Sequence, residues 1–123
     1  MKNMIYSYEI LGEIVPKKNR WKRGKYGQVY LEKDAQDNFD DIVRQLVPRP
    51  GLAGECRIWM IIYTKTNKAD LDGQLTTIAD ALQTAGVIVN DRNIKKIEAE
   101  QIKVKKNPRA EIKIELLNQY EQK

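Results

Sequence analysis

The sequence predicts an α+β domain of two layers, in which a mixed sheet of about four strands packs against two helices in the approximate order βαβαββ. Length and composition point to a single domain over residues 1–123, because the chain is 41% hydrophobic and contains only four prolines. Two segments repeat apolar residues at helical spacing. Several others are rich in β-branched residues and either alternate or run continuously apolar. Together these patterns favour helices packed on a sheet.

The first half of the chain predicts a strand, a basic loop or hairpin, and a helix. Residues 4–15 alternate loosely between apolar and polar side chains around Gly12 and end at Pro16, as a strand does. Residues 17–30 contain six cations, two glycines and no acid, which predicts a basic loop or hairpin. Apolar residues recur every three or four positions within 33–47, so an amphipathic helix is expected there.

The second half predicts a strand, a helix and two more strands. The stretch "CRIWMIIY" at 56–63 is almost continuously apolar, which is typical of a central strand covered on both faces. The helix that begins near Asp70 ends at Gly86, a residue that readily adopts the left-handed conformation at a helix C-terminus. Residues 94–106 change apolar phase, which predicts a strand with a bulge or a bend. The cleanly alternating stretch at 110–116 is expected to pair with it through a turn.

The charge balance and the single cysteine limit the partners and the compartment. Lys and Arg number 22 against 17 Asp and Glu, for a net charge of +5, which favours a polyanionic partner. Cys56 lies in an apolar run and no histidine is present to activate it, so it is expected to be a buried hydrophobic residue. No stretch approaches the ~20 apolar residues of a membrane span. We therefore expect a cytoplasmic protein without a membrane partner.

Three aspartates surround the second predicted helix, with Asp70 and Asp72 at its start and Asp91 beyond the short apolar run that follows it. One such carboxylate is explained as a helix cap. A second acid cannot share that capping position, and clustered carboxylates repel one another unless a cation lies between them. Hard ions such as Mg²⁺ prefer carboxylate oxygens together with water and phosphate. The pattern indicates either a metal site for phosphoryl transfer or caps and solvated loop charges.

Other kinds of site are excluded by the residues present. An EF-hand starting at Asp70 would need glycine at Leu75 and glutamate at Ala81. The chain has no phosphate-binding glycine loop, no zinc ligand set and no serine triad, and its lack of histidine removes acid–base mechanisms that use imidazole. We therefore expect no small-molecule cofactor.

The basic segment at 17–30 interleaves Trp21 and Tyr26 among its cations. Cations with interspersed aromatic rings are typical of surfaces that contact phosphates and stack on bases. A solvated lysine-rich turn has the same composition, and that alternative stays open. Next to an acidic metal site, however, these cations would offset the repulsion between the carboxylates and a phosphodiester.

The segment "ADLDGQLTTIADALQTAGVIVND" resembles the RusA family of crossover junction endodeoxyribonucleases, which are small Holliday junction resolvases of bacteria and phage. The family motif runs D-x-D-N, a lysine, D-A-L, A-G and a D-D pair, and the matching positions are Asp70, Asp72, Asp80, Ala81, Leu82, Ala85, Gly86 and Asp91. The stretch "VPKKNR" is also similar to the proline, asparagine and arginine signature of the family, through Pro16, Asn19 and Arg20.

The resemblance implies a homodimer that cuts branched DNA with Mg²⁺. Asp70, Asp72 and Asp91 would hold the ion that activates water for attack on the phosphodiester, and two related sites would suit a four-way junction. Asp80, Lys95 and Lys96 are possible supporting residues, although a local hydrogen bond or a solvated acid explains Asp80 better. The residues expected to bind DNA are Lys17, Lys18, Asn19, Arg20, Lys22, Arg23, Lys25 and Lys68.

Three departures from the family pattern bear on activity: Gly73 replaces its asparagine, Asn90 replaces the first acid of its D-D pair, and Thr76 replaces its helix lysine. Threonine supplies no positive charge to the transition state, so a loop lysine (Lys68, Lys95 or Lys96) would have to take that role. The leading hypothesis is a Mg²⁺-dependent, structure-selective endonuclease. The alternatives are a non-catalytic or weakly active junction-binding protein and an interaction domain without affinity for nucleic acid.

Overall fold

The structure, a computed structural model, describes residues 4–18, 20–66 and 69–117. It is an α+β fold with two helices, a four-stranded mixed sheet and a small two-stranded hairpin, which confirms the predicted fold class. In chain order the elements are β1 (Met4–Leu11), β2 (Trp21–Arg23), β3 (Val29–Leu31), α1 (Lys33–Gln45), β4 (Cys56–Thr64), α2 (Leu71–Ala85), a short 3₁₀ helix (Asp91–Asn93), β5 (Ile94–Lys103) and β6 (Arg109–Leu116).

The four-stranded sheet has the spatial order β1-β6-β4-β5. β6 is antiparallel to both of its neighbours, whereas β4 and β5 are parallel. The predicted pairing between the last two strands of the chain is therefore wrong. β6 buries Ala110, Ile112 and Ile114, and this apolar row is covered best in the interior of the sheet. β5 has no fully buried residue, so it suits an edge position.

Register and side-chain alternation place the core on one side of the sheet. The five alternate residues of β4 from Cys56 to Thr64 are buried, and the four between them are only half-buried. The core joins the buried residues of the strands with those of both helices. The prediction that β4 is fully covered on both faces is thus wrong. Cys56 is a buried hydrophobic residue as predicted, and burial raises the pKa of its thiol.

The irregularity predicted for the penultimate strand is present at its start. The pairing of β4 with β5 shifts between Cys56 opposite Ile94 and Arg57 opposite Lys96. Lys95 is therefore the extra residue on β5 and forms a bulge.

Both helices follow their predicted apolar stripes. α1 buries Ala35, Phe39 and Ile42 and ends at Gln45, two residues before the predicted end. α2 follows Asp70 and is capped by Gly86 in the left-handed conformation, with φ of 83°. Among the residues that the structure describes, no helix is long and apolar enough to cross a bilayer.

The segment between β1 and the basic hairpin brings the N-terminal part of the chain onto α2. β1 ends at Leu11, earlier than the predicted 4–15, because Gly12 takes a φ of 103° that turns the backbone out of the sheet. Residues 12–18 then run to α2, and β2 and β3 form the predicted basic hairpin, with Gly27 in its turn. This path sets the position of the lysines at 17 and 18.

Candidate functional site

Two of the three predicted acids lie at the N-terminus of α2. Asp70 is the N-cap residue, and its Oδ1 accepts a hydrogen bond from the backbone N–H of Gly73 at 2.9 Å. Asp72 lies in the first turn with 83% of its side chain exposed. The capping explanation therefore applies to Asp70 and leaves the carboxylate of Asp72 without a capping role.

A lysine from the segment before the hairpin lies between these two carboxylates. The Nζ of Lys18 is 2.8 Å from Oδ2 of Asp70 and 3.5 Å from Oδ2 of Asp72. The hydrogen bond from Lys18, followed by that from the Gly73 N–H, lowers the pKa of Asp70 below its usual value. The same contact with Asp70 raises the pKa of Lys18. Asp70 and Asp72 thus share the ammonium of Lys18 as a common partner.

Tethers along α2 hold the backbone that carries Lys18. The side-chain amide of the fully buried Gln74 donates to the carbonyl of Ile14 at 3.0 Å. One turn further along α2, the hydroxyl oxygen of Thr77 accepts from the backbone N–H of Lys17 at 3.1 Å. These contacts fix the segment at two points on the helix, so Lys18 has a defined starting position.

A second lysine–aspartate pair lies further along the same helix. The ammonium of Lys17 binds the carboxylate of Asp80 and lies 4.0 Å from the centre of the Phe39 ring. Asp72, Thr76 and Asp80 are spaced four residues apart, so they share one face of α2. Asp80 is therefore paired with a residue 63 positions away in the sequence, and not through a local hydrogen bond.

The two lysines border a cleft of about 740 Å³ between α2, the basic hairpin and the start of β5. Its polar and charged lining residues are Lys17, Lys18, Thr76, Thr77, Asp80, Asp91, Lys95 and Lys96, and Trp21 and several apolar residues complete it. The lining holds four lysines and two acids, and each lysine is ion-paired with an acid in or beside the cleft. A polyanion would bind there by competing with these ion pairs.

The third predicted acid, Asp91, lines this cleft at the start of the 3₁₀ helix. Its backbone N–H donates to the side-chain carbonyl of Gln83 on α2 at 2.8 Å. Asn90, which stands where the family has an acid, caps the 3₁₀ helix by accepting a hydrogen bond from the N–H of Arg92 at 3.0 Å. Within residues 4–18, 20–66 and 69–117, no three acids lie close enough together to hold one metal ion.

The chemistry of the acid pair fits a hard divalent cation. Asp70 and Asp72 already share the ammonium of Lys18, so the space between them accepts positive charge. Their oxygens are the ligands that Mg²⁺ prefers, and the ion usually completes its shell with water and substrate phosphate. Asp70 and Asp72 would hold the ion, and Asp91 lies at the neighbouring cleft.

The cations predicted to bind DNA differ in how far they are already paired. Arg20 donates from Nε to Glu32 at 2.7 Å and also binds Asp34, and its hydrogen bonds lower the pKa of both carboxyls. Lys22 lies 3.0 Å from the same Glu32. By contrast, Arg23 and Lys25 form no ion pair with any acid that the structure describes.

The four remaining predicted residues are placed as follows. Asn19 and Lys68 lie outside the described residues. Lys95 lies 3.5 Å from a carboxylate oxygen of Glu55 and donates to the carbonyl of Arg92. Lys96 lies 3.1 Å from Glu98, and its hydrogen bond lowers the pKa of that carboxyl.

Sequence reasoning did not foresee the partner of the acid pair. It assigned Lys18 to DNA binding only and sought the replacement for the family lysine at Lys68, Lys95 or Lys96. The available signal was Gly73: an ideal Cβ there would lie 2.8 Å from Cβ of Pro16 and 3.1 Å from Cε of Lys18. A glycine at this point of α2 therefore marks the close passage of the segment that carries the lysine.

Comparison with known proteins identifies the family. The family model described as "Endodeoxyribonuclease RusA" matches residues 12–115, a range that includes all three aspartates and the basic hairpin. No curated protein gives a match. A solved structure entitled "Crystal structure of HypE-HypF complex" is 17% identical with a TM-score of 0.31, too low to carry an argument. The match covers 95% of this chain and 33% of the chain in that structure. This chain therefore spans about a third of the length of the matched chain. The chain belongs to the RusA endodeoxyribonuclease family.

Proposed function

We propose that the protein is a Mg²⁺-dependent, structure-selective DNA endonuclease that resolves Holliday junctions by paired symmetric nicks. The observation that carries this proposal is that Asp70 and Asp72 both contact the ammonium of Lys18, beside a cleft lined by four lysines. Membership of the RusA family supplies the substrate class, since that family acts on crossover junctions.

The roles of the residues follow from their positions. Asp70 and Asp72 would hold Mg²⁺ through their carboxylates, and Asp91 lies at the neighbouring cleft. When bound, the ion would neutralise charge on the phosphodiester and activate water for in-line attack. The N-cap hydrogen bond from Gly73 keeps the Asp70 carboxylate oriented, because it fixes Oδ1 and leaves Oδ2 directed at the cation.

DNA binding is assigned to the lysines of the cleft and to the cations of the basic hairpin. Arg23 and Lys25 are the hairpin cations best able to take phosphates, because binding there breaks no ion pair with a described acid. Trp21 lies in the cleft lining with about half of its surface exposed, where it can stack on a base or a sugar. Arg20, by comparison, shapes the hairpin through Glu32 and Asp34.

A homodimer is part of this proposal. Resolution of a four-way junction requires two nicks in symmetry-related strands, and a twofold dimer presents two identical sites in the matching arrangement.

A non-catalytic or weakly active junction-binding protein is the second candidate. It is favoured by Thr76, which places no cation on α2, and by Asp91, which does not join Asp70 and Asp72 in a three-acid cluster among the residues described. In that case the cleft and the hairpin would bind branched DNA, and Asp70 and Asp72 would only hold Lys18 in place.

Nick mapping on a labelled four-way junction separates the two candidates. Each strand is labelled in turn, and the protein is incubated with junction or with linear duplex, in Mg²⁺ or in EDTA. An endonuclease produces nicks at symmetry-related positions in one pair of strands, only with Mg²⁺ and only on the junction. Retention of the junction without any nick in Mg²⁺ would instead support the binding protein.

A further inference from the structure

The ammonium of Lys18 takes the position that a metal ion on the acid pair would need. Oδ1 of Asp70 already accepts the hydrogen bond of the Gly73 N–H, and Oδ2 lies 2.8 Å from the Lys18 ammonium. Both oxygens of this carboxylate are therefore engaged. Oδ2 is the oxygen directed at the space beside Asp72, so an ion held by both acids and the ammonium of Lys18 compete for it.

The surroundings of Lys18 show that this position is built into the fold. The backbone on its N-terminal side is held on α2 by Gln74 and Thr77. Gly73 leaves the space through which the side chain of Lys18 reaches the two acids, since a Cβ at position 73 would lie 3.1 Å from Cε of Lys18. The glycine and the lysine thus depend on one another.

Lys18 is also able to leave. Its side chain is 47% exposed, and no hydrogen bond other than those to Asp70 and Asp72 is made by its ammonium within the described parts of the chain. It lines the cleft to which we assign the DNA. A flexible four-carbon stem allows the ammonium to move by several ångströms while the backbone stays tethered.

We propose that Lys18 is an internal counter-ion of Asp70 and Asp72, which a divalent ion displaces and which then binds a phosphate oxygen of the DNA in the cleft. Metal binding and DNA binding are thereby coupled, because the ion releases the cation that the DNA uses, and such coupling is reciprocal. The proposal for Lys18 rests on the proposed function only because it takes a divalent metal ion as the cofactor of the protein and DNA as its ligand. It also explains how the chain manages without a lysine at Thr76, because the required cation comes from the preceding segment.

The first arm of the test measures metal affinity without DNA and without turnover. Mn²⁺ binding is titrated by electron paramagnetic resonance for the wild type, Lys18→Gln, Lys18→Arg and Lys25→Gln. Lys18→Gln should bind Mn²⁺ roughly two- to tenfold more tightly. The substitution removes an exposed ion pair that competes for the carboxylates, and it removes the repulsion between the Lys18 ammonium and the metal ion. Lys18→Arg keeps the competitor, and Lys25→Gln removes the same charge from the hairpin, so both should stay near the wild type.

The second arm measures coupling to DNA. Affinity for a four-way junction is determined with and without Ca²⁺, which takes oxygen ligands as Mg²⁺ does. The gain in affinity on adding Ca²⁺ should be smaller in Lys18→Gln than in Lys25→Gln by roughly two- to fivefold, about one phosphate contact.

The outcomes separate this proposal from the proposed function. If the wild type binds Mn²⁺ and Lys18→Gln binds it with the same affinity, the proposal is overturned, whether or not junctions are nicked. An equal Ca²⁺ gain in Lys18→Gln and Lys25→Gln also overturns it. If neither the wild type nor Lys18→Gln binds Mn²⁺, both proposals fail. Tighter Mn²⁺ binding by Lys18→Gln supports the displacement of Lys18 even if no nick is ever observed.

Discussion

Replacement of Gly73 by alanine tests whether the segment before the hairpin really passes against α2. On helix propensity alone, alanine in place of glycine would stabilise the protein by up to about 1 kcal/mol. The structure predicts the opposite sign. An ideal Cβ at this position would lie 2.6 Å from Oδ1 of Asp70 and 2.8 Å from Cβ of Pro16. Both distances are shorter than atoms tolerate without a shift, and the proline ring is stiff.

Overpacking of this kind costs about 1–3 kcal/mol, so we expect Gly73→Ala to lower the free energy of unfolding by roughly 1 kcal/mol after the propensity gain is subtracted. Urea unfolding followed by circular dichroism measures this as a shift of the midpoint at constant slope. Thr76→Ala is the matched control, because Thr76 is exposed on the same helix and its hydroxyl only bonds back to the carbonyl of Asp72. It should stabilise slightly. A Gly73→Ala protein as stable as Thr76→Ala would refute the close passage.

Two further predictions concern the hairpin. The double variant Arg23→Ala/Lys25→Ala should weaken junction binding and reduce the slope of log K against log salt by about 1.8, since each lost phosphate contact contributes about 0.9; an unchanged slope would make the hairpin a solvated turn. Arg20→Gln should return the pKa of its two carboxylate partners towards the ordinary value near 4 in a carboxyl NMR titration. Because those pKa values are lowered in the folded state, the wild type should be more stable than Arg20→Gln above about pH 4. That difference should shrink as the pH falls through the folded values, and a constant difference would show that the pairing contributes nothing.

The fold class could be predicted because it depends on local periodicity. A few neighbouring residues are enough to predict the apolar helical stripe that contains Phe39 and Ile42. The same is true of the left-handed cap at Gly86. Strand pairing could not be predicted in the same way. The short turn before β6 suggested a hairpin with β5, but the buried row from Ala110 to Ile114 required neighbours on both sides. That requirement comes from the whole sheet and appears in no short window of sequence.

The sequence indicated Asp70 and Asp72 as a pair of acids, and it did not indicate that Lys18 lies between them. Asp70 is the N-cap residue and Asp72 lies in the first turn of α2, so both acids stand at the N-terminus of one helix, which the sequence pattern predicted. The contact with Lys18 joins residues more than 50 positions apart and depends on the path of residues 12–18 over α2, which the sequence does not reveal. Asp91 was expected to join the pair, and the 3₁₀ helix places it at the cleft instead.

The single-turnover nicking rate of Asp72→Asn on a labelled four-way junction in Mg²⁺ tests the central claim most directly. The substitution keeps the size of the side chain and removes the charge that would hold the ion. The rate should fall by about 100-fold or more while junction affinity persists or increases. Asp37→Asn, which removes an exposed carboxylate on α1, should nick like the wild type. Undiminished nicking by Asp72→Asn would contradict the assignment of this acid pair to catalysis.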